Sequence, residues 1–277
     1  MRRFASSPRA SVIVRTKDSE DTVEETFRSL RAQTVPCEII VVDSGSTDST
    51  LKLAEEAADR ILNMPPEEFS FGRSLNLGAR HASAPFHFAL SSHCVLERDD
   101  YIERSLSYYE REDVAATNGN ARGPDGEPIF EEFVQTFDHA FTDPYWGYSN
   151  HAGSWRALVW ERFPFNEDIE ACEDKEWAWR VLEAGYVIVF HPALYVSSRH
   201  RRAAGTRALF NRSRMEARAL AGHLNGAAST TPLEAVSEWW SRIPEEPLYP
   251  PLFYRLNYYR AAEIFGRWLG QAEARRS

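Results

Sequence analysis

An acid closes the apolar run Glu38-Ile39-Ile40-Val41-Val42-Asp43, and a loop of small polar residues, Ser44-Gly45-Ser46-Thr47-Asp48, follows it. A carboxylate at a strand end has lone pairs for N–H and hydroxyl donors. A polar loop running into a helix N-terminus adds backbone donors for an anion. Together they mark where an open α/β sheet takes a nucleotide, although a solvated βα turn has the same pattern. A second apolar run, His87-Phe88-Ala89-Leu90, ends in Ser91-Ser92-His93-Cys94 and makes a matching junction that belongs beside the first. The third concentration of chemistry is electrostatic. From Arg199 to Arg218 there are seven arginines and a single acid, which suits either a solvated helix face or contact with a diphosphate or anionic lipid.

The elements that must position these groups follow from hydrophobic period. The run ending at Asp43 is short, β-branched and bounded by a turn, as in a buried parallel strand. Ser11-Val12-Ile13-Val14 is a second such strand, with the charged loop Arg15-Thr16-Lys17-Asp18 behind it. Between them Thr22 to Ala32 carries a capping-box pattern, Thr22 with Glu25, and Val23, Phe27 and Leu30 on one face. Strand, helix and strand make a βαβ unit, so the two strands should be parallel neighbours. Asp48 is the expected N-cap of a helix with Leu51, Ala54 and Ala58 inward. Ile61-Leu62 is a short strand, Leu75, Ala79 and Ala82 mark a helix, Asp99 to Glu110 another, and Val114 to Thr117 a further strand.

Beyond residue 120 the rhythm changes. Gly123-Pro124-Asp125-Gly126 is a turn, and five of the eight tryptophans fall between Trp146 and Trp179. Such rings form core or stack on sugars, and Trp155 and Trp177 are the candidates for an acceptor platform. Glu173-Asp174 opens a helix closed by Gly185, and Val187 to Phe190 is the last strand. We therefore expect residues 1–205 to form one domain, with a nucleotide-binding half at about 9–120 and an acceptor half at about 121–205. Residues 206–277 form a helical extension whose last helix, with Tyr258, Ile264, Phe265, Trp268 and Leu269, docks on the core or on a second copy in a homodimer.

The 277 residues, 43% of them hydrophobic, suffice for one large α/β domain and an appendage. A net charge of −9 argues against nucleic acid as a partner. No apolar run approaches the roughly 18 residues of a membrane helix, and the N-terminus has no apolar leader core, so the expected location is cytoplasmic. The arginine-rich tail is the one candidate for peripheral contact with the inner face of a membrane. Cys37, Cys94 and Cys172 are scattered without a CxxC pair, which predicts free thiols and no zinc site.

In order and spacing these pieces resemble the family 2 glycosyltransferases of GT-A fold, particularly the rhamnosyltransferase-like branch, over about residues 9–200. The matching stretches are Ser11 to Asp18, Glu38 to Thr50, Phe69-Ser70-Phe71-Gly72-Arg73-Ser74-Leu75-Asn76-Leu77-Gly78-Ala79, and Glu173-Asp174-Lys175-Glu176-Trp177 with Arg180 and Gly185-Tyr186. The resemblance implies an α/β fold with a mixed, mostly parallel central sheet flanked by helices. It implies that Thr16, Asp43, Ser44 and Ser92 line a nucleotide-sugar pocket, that Arg73 approaches the base or diphosphate, and that Asn76 supports the loop.

It further implies a divalent metal, Mn2+ or Mg2+, bridging the donor phosphates. The family's paired aspartates fall at Ser91-Ser92-His93, where this chain has no carboxylate and His93 takes the second place. Imidazole suits Mn2+ better than Mg2+, which prefers hard oxygens. His200 stands where relatives supply a ligand from the C-terminal side; without metal, the arginines beyond residue 198 would neutralise the diphosphate. In an inverting transfer one carboxylate takes the acceptor proton. Glu173 and Asp174 can supply it, family precedent favours Asp174, and helix capping by two acids is the competing reading. The implied donor is a UDP- or dTDP-sugar, dTDP-rhamnose among them; the implied acceptor is a saccharide, lipid-linked sugar or small molecule. Two rivals remain. A sugar nucleotidyltransferase needs a Gly-rich loop after the first strand, and Arg15-Thr16-Lys17-Asp18 has no glycine; a catalytically silent nucleotide-sugar binding module would fit the missing aspartates.

Overall fold

The computed structural model describes residues 7–120, 131–198, 205–224, 231–241 and 250–276. The chain divides into two compact units, residues 1–168 with 173–200, and residues 169–172 with 201–277.

The first unit is built on a mixed sheet of nine strands. Its parallel half is β1 (Ala10–Thr16), β2 (Cys37–Asp43), β3 (Arg60–Asn63) and β4 (Phe86–Ser91). β1 pairs in parallel with both β2 and β4, and β2 with β3. Central strands of this kind are covered on both faces, which is why Val12, Ile13 and Val14 of β1 and every residue of β2 are buried. The crossovers are α1 (Val23–Arg31), α2 (Thr50–Ala57) and α3 (Phe71–His81). The parallel order places the C-terminal ends of β1, β2 and β4 side by side, with Thr16 opposite Asp43 and Arg15 opposite both Val42 and Ser91.

The other half is assembled from β5 (Cys94–Leu96), β6 (Val114–Asn120), β7 (Phe133–Gln135), β8 (Ala152–Arg156) and β9 (Val187–Ser198). The strand order is β3-β2-β1-β4-β8-β6-β9-β5, with β7 also on β9. β8 is antiparallel to both β4 and β6, making the sheet mixed. Around these strands lie α4 (Tyr101–Ser107), α5 (Phe137–Thr142), α6 (Ala157–Arg162) and α7 (Glu173–Glu183).

β7 and β8 are not evident in the sequence; in β8, Ala152-Gly153-Ser154-Trp155-Arg156 has neither alternation nor a β-branched run. β9 continues past His191-Pro192, where the sequence suggests an end. The proline, lacking an N–H, sits in an irregularity at which the β6 register jumps from His191 to Tyr195. The capping box at Thr22 is not formed. The Thr22 hydroxyl donates instead to the Ser92 carbonyl at 3.0 Å, and the N-cap of α2 is Ser49 rather than Asp48.

In the second unit α8 (Thr206–Ala221) packs along α10 (Pro250–Ala274), beside α9 (Pro232–Ser241). Gly270 lets the two long helices approach, since a Cβ there would lie 2.1 Å from the Arg214 carbonyl oxygen. Arg212, Arg214 and Arg218 of the basic segment pair within this unit with Glu216, Glu273 and Glu170. No helix among the described residues is long and apolar enough to cross a membrane.

Candidate active site

The loop after β2 is organised by the acid that ends the strand. One oxygen of Asp43 accepts from the hydroxyls of Thr16 (2.9 Å) and Ser46 (2.5 Å); the other accepts from the backbone N–H groups of Gly45 (3.0 Å) and Ser46 (2.9 Å). Four donors occupy the roughly four lone-pair positions of a carboxylate. Gly45 has a φ of +88°, and a Cβ there would meet Pro66 at 2.7 Å. The loop after β1 is laced to this one. Asp18, itself at a φ of +43°, accepts from the Thr47 N–H at 2.8 Å, while its own N–H donates to Ser46 Oγ at 2.9 Å.

The third loop, between β4 and β5, is held from two sides. The Ser92 carbonyl accepts from the hydroxyls of Thr22 and Thr26, both at 3.0 Å, and Ser92 Oγ lies 2.9 Å from Ser19 Oγ. The Ser91 N–H donates to the His151 carbonyl at 3.0 Å. His151, just before β8, also turns its ring to the loop, with Nε2 3.1 Å from Cys94 Sγ and the ring centroid 5.4 Å from that of His93. The donor atoms of His93, Cys94 and His151 lie within 4.8 Å of one another.

At the head of α7 the two acids differ. Glu173 is buried and Asp174 half-buried. Glu173 accepts from Arg15 Nη1 at 3.3 Å and Asn150 Nδ2 at 3.2 Å. Burial first, then the neighbouring Asp174 charge, raise its pKa above the ordinary value, and the Arg15 charge opposes them. Asp174 accepts from the Asn150 backbone N–H at 3.3 Å and from the Lys175 N–H at 2.8 Å. The Lys175 ammonium in turn fixes the carbonyls of Gly147 and Tyr148. Thus residues 150 and 151 touch both the acids and the β4–β5 loop. Arg15 also lies over the Phe71 ring, 5.2 Å from its centroid.

The model of the family described as glycosyl transferase family 2 matches residues 11–167. The chain belongs to that family. This family 2 member is 28% identical over 182 residues to the O-antigen chain rhamnosyltransferase WbaN of Salmonella anatum, covering 60% of this chain and 58% of that one. It is 31% identical over 118 residues to an uncharacterized glycosyltransferase of Haemophilus influenzae, covering 41% of this chain and 36% of the other. It therefore spans less than two thirds of the length of these curated relatives. In fold it is similar to the mannosyltransferase PcManGT of Pyrobaculum calidifontis, solved with GDP-Man and Mn2+, at a TM-score of 0.60 and 18% identity over 98% of this chain and 74% of that one.

Within this family 2 chain, Thr16, Asp43, Ser44 and Ser92 come together where β1, β2 and β4 end, and Glu173 is tied to the same edge through Arg15. Arg73 instead joins Glu167 at 3.1 Å and the Glu68 carbonyl at 3.0 Å. Asn76 is structural as expected, holding the Phe165 backbone and the Trp160 indole. His200 lies outside the described residues. The aromatic platform is corrected: Trp155 and Trp177 have no exposed surface and pack with Phe165 in the core, so neither presents a face to a sugar. Exposed rings of this unit include Phe69, Phe71, Phe141 and Trp146. Sequence reading missed Asn150 and His151, whose only signal is their place before an unrecognised strand.

The donor set at the third loop suits a divalent cation, but of a particular kind. Two imidazoles and a thiol are borderline to soft ligands, and among the described residues no carboxylate joins them.

Proposed function

We propose that this chain transfers a sugar from a nucleoside-diphosphate donor to a hydroxyl acceptor with inversion, residues 9–120 holding the donor and 121–205 the acceptor. The observation that carries the reading is the half-buried Asp174 beside the buried, Arg15-paired Glu173, tied to the edge where three parallel strands end. The acceptor hydroxyl gives its proton to Asp174 as its oxygen bonds to the anomeric carbon. The bond from that carbon to the diphosphate breaks, and its electron pair leaves with the phosphate oxygen. Glu173, paired with Arg15, accepts from the Asn150 side chain and so holds the residue whose backbone N–H bonds Asp174.

The laced loops after β1 and β2 hold the nucleoside through their hydroxyls and backbone N–H groups, with Asp43 fixing their shape. A divalent ion on His93, Cys94 and His151 would supply positive charge toward the donor diphosphate. Similarity to a rhamnosyltransferase of O-antigen chains supports a dTDP-rhamnose donor and a saccharide or lipid-linked acceptor. Phe71, exposed beneath Arg15, replaces the buried tryptophans as a ring for the acceptor, a contribution from the donor-holding half to the acceptor side.

The test is a thermal-shift panel of UDP-, dTDP- and GDP-sugars followed by product analysis. One donor should raise the melting temperature, because a ligand that binds only the folded state stabilises it. Its sugar should appear on an acceptor with the anomeric configuration reversed. No shift with any donor would sink the reading; a shift without transfer or donor hydrolysis under any metal would favour the silent binding module.

A further inference from the structure

We infer that His93, Cys94 and His151 form a binding site for a borderline divalent transition ion of the Zn2+ and Co2+ class, in preference to Mg2+ or Mn2+. His93 ends the turn after β4, Cys94 begins β5, and His151 lies just before β8, the strand that pairs with β4, so the fold brings Cys94 to a ligand 57 positions away. Zinc lies about 2.0 to 2.3 Å from nitrogen and sulfur ligands, so the donors of a tetrahedral site are about 3.3 to 3.7 Å apart. Here Cys94 and His151 are already at 3.1 Å and all three within 4.8 Å. Side-chain rotations that move the outer donor atoms by about an ångström close the set.

The surrounding structure is prepared for it. Thr22, Thr26 and Ser19 hold Ser92, and the backbone of Ser91 is bonded to that of His151, so both sides of the cluster are fixed to one another by groups that are not ligands. The chemistry of the ligands then selects the ion. Mg2+ takes oxygen ligands in near-octahedral array, and thiolate favours softer ions. On binding, the Cys94 thiol releases its proton to solvent and the imidazoles bind through neutral nitrogens. A thiol–imidazole hydrogen bond without metal is the competing account of the 3.1 Å contact. The inference rests on these three side chains; only the ion's role beside a diphosphate depends on the transferase reading.

The purified protein is stripped with a chelator and titrated with Co2+ followed by absorption spectroscopy. We expect one equivalent to bind with a near-ultraviolet thiolate-to-cobalt charge-transfer band, displaced by stoichiometric Zn2+ but not by about 100-fold more Mg2+. His151→Gln should weaken Co2+ binding by at least about tenfold. Cys94→Ser should abolish the band, whereas Cys37→Ser and Cys172→Ser should leave it. Circular dichroism and melting of each variant without metal separate lost binding from lost folding, and His151→Gln stands as the test if the Cys94→Ser chain fails to fold. A folded wild type without the band, a band that follows Cys37 or Cys172, or displacement by Mg2+ would overturn the inference. Donor binding is measured by thermal shift on the same preparations. Metal binding without donor binding sinks only the transferase reading, and donor binding without the band sinks only this one.

Discussion

The guanidinium of Arg15 lies 3.3 Å from the carboxylate of Glu173, joining the end of the first strand to the head of a helix 158 residues later. The pair has side-chain exposures of only 16% and 7%, so each charge depends on the other. Removing Arg15 deletes the charge that opposes the upward pKa shift of Glu173, and the pKa rises further. A folded-state pKa above the unfolded one favours the protonated, folded form at low pH, and that contribution is lost as pH rises through the folded value. Arg15→Met should therefore lose stability relative to wild type once pH passes the wild-type folded pKa of Glu173, which itself lies above the ordinary 4.5, by about 1–3 kcal/mol at the high end. Urea unfolding at several pH values measures it, and an equal loss at all pH values would contradict the pairing.

Asp174→Asn keeps the shape of the side chain and removes its ability to take a proton. Turnover should drop by at least about 100-fold while the thermal shift given by the donor stays within a degree or so. Retention of most of the turnover would remove Asp174 from the role.

Asp43→Asn replaces one acceptor oxygen with a donor facing groups that already donate. With four donors converging on this carboxylate, the substitution should cost about 1–3 kcal/mol and weaken donor binding through loss of the loop's shape. Wild-type stability with selectively lost donor binding would instead make Asp43 a direct ligand contact.

His87 is buried against Trp155 and Trp160, and burial lowers its pKa from 6.5 to about 4. Between those values the unfolded chain holds more protons, so stability rises with pH across that window and is flat below it. The full difference is about 3 kcal/mol, and His87→Gln should flatten that slope in unfolding measured from about pH 4 to 7.

Trp155→Ala should destabilise by about 3–5 kcal/mol through the cavity it leaves, with Trp155→Phe restoring most of the loss and unchanged acceptor KM. Phe71→Ala at the exposed ring should do the opposite, raising acceptor KM by about tenfold with little change in melting temperature. If Trp155→Phe alters acceptor KM alone, the burial argument fails.

Local order in the sequence determined the parallel half of this protein. Short β-branched runs at 11–14 and 38–43, each ended by a polar loop and followed by an amphipathic helix, can hardly form anything but adjacent buried strands, and the loops that follow inherit their place at one edge. The pair Glu173-Asp174 at a helix start was legible for the same reason. Tertiary structure alone decided the rest. By sequence Trp155 and Trp177 are candidates for a platform, with core the commoner fate of such rings, and only the packing places them inside, because ring type does not encode which face of a strand or helix turns outward. Of the four bonds on Asp43 one comes from Thr16 at the end of β1, 27 residues away in sequence, and Arg15 reaches Glu173 only because the strand order brings them to one edge. Cysteine spacing carries no sign of the cluster of His93, Cys94 and His151, because His151 reaches the other two through the start of an antiparallel pairing that has no local signal in the sequence.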